Sequence, residues 1–168
     1  STVLFLTGCA AVGVFPTSNP EKKLGNAYAM IKQGRYLRAK QFSEEALEIY
    51  KKNDDKLGMA RSHSILGDIL RDGKGRGFPN YPESFYNYEA AAKIHNSLKR
   101  YKWESFNVYA QAGVLNIQGK KVPACKMLIK AEKIYAKSPE KNKKTEGFEK
   151  SNHFSFGHFK SLKKHFGC

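Results

Sequence analysis

The sequence predicts an all-α chain, a superhelical array of about three helical hairpins with a C-terminal capping helix. Small residues recur in pairs seven apart, at Ala39 and Ala46, Ser84 and Ala91, Ala124 and Ala131, a spacing that returns to one helix face after two turns. Near the end, Phe159, Leu162 and Phe166 follow i, i+3, i+7, again one helical face. With 168 residues, 40% of them hydrophobic, the chain is long enough to bury a single core.

Ser1 to Thr7 form an uncharged, mostly apolar run, followed by Gly8, Cys9 and Ala10. The run reads as the tail of a secretory signal whose start is missing (residues 1–8). Leu6-Thr7-Gly8-Cys9 resembles the bacterial lipobox, in which a small residue admits the signal peptidase and the following Cys thiol accepts diacylglycerol. The resemblance implies lipid attachment at Cys9. It also implies an outer-membrane address, because Ala10 stands where an Asp would mark inner-membrane retention. The alternative is a short buried N-terminal element with Cys9 as a core thiol. Residues 9–20, with Gly13, Pro16 and Pro20, have no helical period and read as a tether.

Residues 21–139 hold the repeat, divided at about 21–52, 54–98 and 100–138. Gly34-Arg35-Tyr36-Leu37-Arg38-Ala39 is echoed by Gly119-Lys120-Lys121-Val122-Pro123-Ala124, with Tyr81-Pro82-Glu83-Ser84 between them. A small residue marks each first helix, at Ala27, Gly67 and Ala112, and lies 12, 17 and 12 residues before its partner at Ala39, Ser84 and Ala124. Five extra residues therefore fall within the second hairpin, in Asp72 to Pro79, a Gly-rich loop. Tyr36, Phe42, Leu47 and Ile49 are expected to fill the first hairpin. Tyr81, Tyr88 and Ile94 fill the second, and Leu115, Leu128, Ile134 and Tyr135 the third. Ser138-Pro139 ends the last helix.

The pattern resembles the tetratricopeptide repeat, in the long-helix form found in kinesin light chain and related adaptors. It departs from that family in register: Lys23, His63 and Val108 stand where a Trp is expected early in the first helix, and Trp103 lies upstream. The resemblance implies that ligands lie on a concave face lined by the first helices. Carried over by position, that face holds Leu24, Tyr28, Ile31 and Lys32, then Arg61, Ser64, Asp68 and Arg71, then Phe106, Tyr109, Asn116 and Ile117. Tyr28, Lys32, Arg61, Asp68, Arg71, Phe106, Tyr109 and Asn116 are the candidate partner-binding residues. Against this, Tyr28, Phe106 and Tyr109 can equally pack within their own hairpins.

Residues 140–168 form a basic linker, with Lys141, Lys143, Lys144 and Lys150, and then the apolar spacing noted above. That segment is either the cap an open repeat stack requires or a basic-aromatic tail for membrane or nucleic acid. Cys125 and Cys168 bridge if the tail folds back; a buried Cys125 with a free Cys168 is the favoured expectation.

Little points to catalysis. Gly73-Lys74-Gly75-Arg76-Gly77 lacks the preceding strand and the Lys-Ser/Thr pair of a phosphate loop and is expected to be a flexible insert. The tail histidines His153, His158 and His165 lack the second ligand pair of a zinc site. No nucleophile–base set or carboxylate pair can be assembled, so neither enzymatic activity nor a cofactor or small-molecule substrate is expected. The net charge of +15 attracts polyanions. Three functional readings follow: a lipid-anchored scaffold for another exported or envelope protein, for which an acidic partner is one option; an immunity lipoprotein against a periplasm-acting toxin such as a secreted phospholipase; and a binder of polyanions, anionic lipid or nucleic acid, with nucleic acid disfavoured. The first is preferred.

Overall fold

The structure, a computed structural model, describes residues 17–139 and 156–168, with side chains of the second segment from residue 158. The expectations for Cys9, for the tether up to residue 16 and for Lys141 to Lys150 lie outside the described residues, and Pro20, placed in the tether, opens the first helix. Among those described there are seven helices and no strand: α1 (Pro20–Lys32), α2 (Tyr36–Lys52), α3 (Lys56–Asp72), α4 (Tyr81–Ser97), α5 (Tyr101–Ile117), α6 (Lys121–Tyr135) and α7 (Phe156–Phe166). Each packs against the next in sequence, so α1/α2, α3/α4 and α5/α6 are hairpins and α7 lies on α6. The all-α hairpin array with a terminal helix is thus the observed architecture.

Local chemistry sets the helix ends. Asn19, Asp55 and Asn80 each accept a bond from the backbone N–H three residues on, at 3.1, 2.8 and 3.2 Å, satisfying donors a helix start leaves open. Four of the interhelix turns are one motif repeated. Gly34, Asp54, Lys99 and Gly119 take left-handed φ angles of 71°, 49°, 54° and 73°. The N–H of the next residue reaches back to the carbonyl five before it, in Arg35 to Met30, Asp55 to Tyr50, Arg100 to His95 and Lys120 to Leu115. This is the Schellman closure, which satisfies orphan carbonyls and reverses the chain in three residues.

The turn between α3 and α4 differs, because the five-residue insert lies there. One end of it packs on the rest of the array. Phe78 is half-buried, its ring 6.2 Å from that of Tyr36 and packed against the first hairpin's core. The N–H of Asn80 donates to Leu70 O at 2.8 Å. Partial burial of that ring opposes the conformational entropy of the glycine-rich stretch.

The nine small marker residues all lie in helix contacts. Ala27, Ala39, Ala46, Ser84, Ala91, Ala112, Ala124 and Ala131 are each 0% exposed, and Gly67 is buried in α3. Large side chains oppose them, with Phe42, Leu47, Tyr88, Leu128, Ile134 and Tyr135 buried; Tyr36, Ile49, Tyr81, Ile94 and Leu115 are only half-buried. Tyr50, 3% exposed, belongs to the core although the repeat pattern did not name it. It fills space that Gly58 leaves, since a methyl on Gly58 would sit 2.2 Å from the Tyr50 ring.

At the far end α7 covers the third hairpin, its Phe159 0% and Phe166 6% exposed and joined to Leu128, Ala131 and Tyr135 in one cluster. Of the two readings of the tail, the capping helix is the one the fold contains. Cys125 and Cys168 are joined in a disulfide, their Cα atoms 5.7 Å apart, which corrects the expectation of a free Cys168. The pairing depends on the chain folding back over 43 residues, a distance that no local spacing encodes.

Candidate binding face

The first helices of the hairpins, α1, α3 and α5, are linked to one another through side chains. The Arg61 guanidinium of α3 donates to Glu21 Oε1 of α1 at 2.6 Å, and the Tyr50 hydroxyl of α2 donates to the same oxygen at 2.5 Å. Between α3 and α5, Ser64 Oγ donates to Asn107 Oδ1 at 2.8 Å. These bonds hold the expected site residues of different repeats next to one another.

At the centre stand Asp68 and Arg71. The Tyr88 hydroxyl donates to Asp68 Oδ1 at 2.6 Å. Arg71 grips Asp72 with two bonds, Nε to Oδ1 at 2.7 Å and a terminal nitrogen to Oδ2 at 2.6 Å. It lies 3.2 Å from Asp68 and stands over the Tyr88 ring at 5.7 Å. Burial pushes the Asp68 carboxyl above its ordinary range despite Arg71 and the Tyr88 bond. Burial likewise raises the Tyr88 hydroxyl, and the Asp68 charge adds to it. Tyr88 therefore stays a donor at neutral pH.

Tyr28 and Tyr109 flank this centre. Burial raises the Tyr28 hydroxyl, with the Asp68 charge adding and Arg61 opposing; burial raises Tyr109 too, with Arg71 opposing. One tyrosine thus feels the Asp68 carboxylate from α1 and the other the Arg71 guanidinium from α5. Beyond Tyr109 an aromatic row runs along α5 and onto the cap. Trp103 to Phe106, Phe106 to Tyr109 and Tyr109 to His158 have ring centroids 6.4, 6.4 and 6.0 Å apart.

The structure brings together Tyr28, Arg61, Asp68, Arg71, Phe106 and Tyr109 of the eight expected residues. Lys32 and Asn116 sit in the last turns of α1 and α5, and neither side chain hydrogen-bonds to this group among the described residues. Leu24 is corrected: it is 2% exposed and part of the first hairpin's core, with Ile31 packed against that same core. Phe106 and Tyr109 are half-buried against the third hairpin, so they pack internally and still border the face. The sequence reading missed Glu21, which positions Arg61, and Asp72 and Tyr88, which occupy Arg71. The spacing of Arg71 and Asp72 as neighbours was visible; the approach of Tyr88 from α4 was not.

Despite the chain's net charge, this face is balanced, with Glu21, Asp68 and Asp72 against Arg61 and Arg71. Among the described residues no helix is long and apolar enough to cross a membrane, and no group of three His, Cys, Asp or Glu is placed to hold a metal ion. Comparison of the chain with known protein families, curated proteins and solved structures finds no match.

Proposed function

We propose that the chain is a lipid-anchored protein-interaction module of the bacterial envelope, tethered through Cys9 and holding another exported protein on the face of α1, α3 and α5. One observation carries the reading: a connected aromatic and charged surface runs across three hairpins from Tyr28 to Tyr109 through Arg61, Asp68 and Arg71. Tyrosine and arginine are the residues that most often anchor protein interfaces. The bonds of Arg61 to Glu21 and of Arg71 to Asp68 and Asp72 hold the two arginines in place before a partner arrives, which lowers the ordering cost of binding. The lipobox resemblance supports the anchor and an outer-membrane site facing the periplasm.

The test starts from a partner captured by cross-linking in the native envelope. Tyr28→Ala and Tyr109→Ala should each weaken its binding by about 1–2 kcal/mol in calorimetry, with the fold of each variant checked by circular dichroism. Cys9→Ser should abolish labelling by a fatty-acid analogue. Wild-type affinity in both tyrosine variants would remove the face from consideration, and undiminished labelling would remove the anchor.

A further inference from the structure

The positive charge of the chain is concentrated at one end. Residues 17–98 carry fourteen Lys and Arg against ten Asp and Glu, whereas residues 99–139 and 156–168 carry twelve against two. Both of those acids are occupied. Glu104 is buried and accepts from Asn96, and Glu132 takes the Lys163 ammonium of α7 at 2.5 Å.

The surplus falls on one face of α6. Lys126, Lys130 and Lys133, with Lys137 just past the helix, follow i, i+4, i+7, i+11 and are all exposed. They lie on the side opposite the buried Ala124, Leu128 and Ala131. Interleaved with them are Val122, 67% exposed, and Ile129, 41% exposed. No carboxylate among the described residues lies within salt-bridge distance of any of the four lysines.

We propose that this outer face of α6 docks on an anionic lipid surface. Like charges in a row on one helix repel, and an anionic surface relieves that repulsion. Lysines are hydrated point charges on long stems, suited to a field of headgroups and able to lift their ammonium groups while the stems lie along apolar surface. Val122 and Ile129 between them are placed to enter the boundary of the acyl chains, as on interfacial helices. The stripe contains no arginine and no aromatic residue. It therefore lacks the forks and stacking platforms of nucleic-acid grooves and the anchors of protein interfaces. The lipid contact is separate from the partner-binding face, and it does not require acylation of Cys9.

The experiment uses the full chain carrying Cys9→Ser, so that acylation and this face fail independently. Flotation with phosphatidylcholine vesicles should show no binding. Vesicles containing phosphatidylglycerol should bind, less tightly as salt rises. Replacing Lys126, Lys130 and Lys133 together by Glu should lower the affinity by about a hundredfold, at roughly fivefold per lysine. The charge-matched variant Lys22→Glu, Lys52→Glu, Lys56→Glu should lower it far less. Lys→Gln at the three α6 positions repeats the comparison should the reversal disturb folding, as checked by circular dichroism. Val122→Ser with Ile129→Ser should weaken vesicle binding and leave heparin binding unchanged. Equal losses in the two charge-reversed variants, no binding to phosphatidylglycerol vesicles, or heparin binding as tight as vesicle binding with no effect of the Val122 and Ile129 changes would each overturn the proposal.

Discussion

At Gly67 a hydrogen stands where a methyl would come within 2.7 Å of the Tyr88 ring. That ring is 0% exposed and tethered through its hydroxyl to Asp68, so it cannot swing aside. Gly67→Ala should therefore cost about 1–3 kcal/mol despite the better helix propensity of alanine. Gly113→Ala in α5, where nothing lies within 4 Å of the new methyl, should instead stabilise by about 0.5–1 kcal/mol. Denaturant melts of the two variants check both signs. His95 is a second decisive residue. It is 2% exposed, stacks on Trp103 at 6.3 Å, and its Nδ1 has no hydrogen-bond partner among the described residues. Burial lowers its pKa to about 4, helped by the Arg100 charge, from an ordinary 6.5. Between those values the unfolded chain binds a proton that the folded chain refuses, so stability falls as pH drops from 6.5 toward 4. The loss reaches about 3 kcal/mol at 1.36 kcal/mol per unit. His95→Leu should flatten most of that slope in melts across the same window, and an unchanged slope would assign it to other groups.

The helices show which structural information was local and which was not. All nine small residues could be placed in advance: six by a seven-residue spacing, which on a helix has one geometric meaning, and Ala27, Gly67 and Ala112 by their repeated offset from the second helix. The turns were half legible. Gly34 and Gly119 announce a left-handed residue, but Asp54 and Lys99 adopt the same conformation with no glycine to mark them. Lys99 carries the strain that a β-carbon meets there, about 1 kcal/mol. Lys99→Gly should raise stability by at most about 0.5 kcal/mol, because the added freedom of glycine in the unfolded chain offsets roughly half or more of that strain; a clearly lower melting temperature would show that the turn is not strained. Tertiary contacts were the illegible part. Phe78 reaching Tyr36, Tyr88 reaching Asp68 and Cys168 reaching Cys125 all join segments far apart in sequence. In the candidate face, α1, α3 and α5 could be named as its walls. That Arg71 is already occupied by Asp72 and Asp68 could not be known without the fold.

In the whole molecule each helix touches its sequence neighbours, so the array is close to a one-dimensional stack. Its two faces differ in charge, the α1–α3–α5 face balanced and the outer face of α6 basic. Its two ends differ as well. At the α6 end the disulfide closes a loop of 43 residues, a constraint worth about 3–4 kcal/mol on the loop-entropy account. Stacks of this kind open from their ends, because an end helix has one neighbour to lose. Among the described helices, a cross-link that prevents α7 from peeling away leaves α1 as the end at which fraying can begin. The chain should therefore unzip in one direction, and amide hydrogen exchange should report it as a gradient, fastest in α1 and slowest in α6. Reduction, or Cys168→Ser, should speed exchange in α6 and α7 while leaving α1 nearly unchanged. A uniform acceleration would mean that the stack opens as one cooperative block. If the gradient holds, the disulfide acts as a ratchet on an array of otherwise similar hairpins, giving the molecule a fixed order in which its parts come undone.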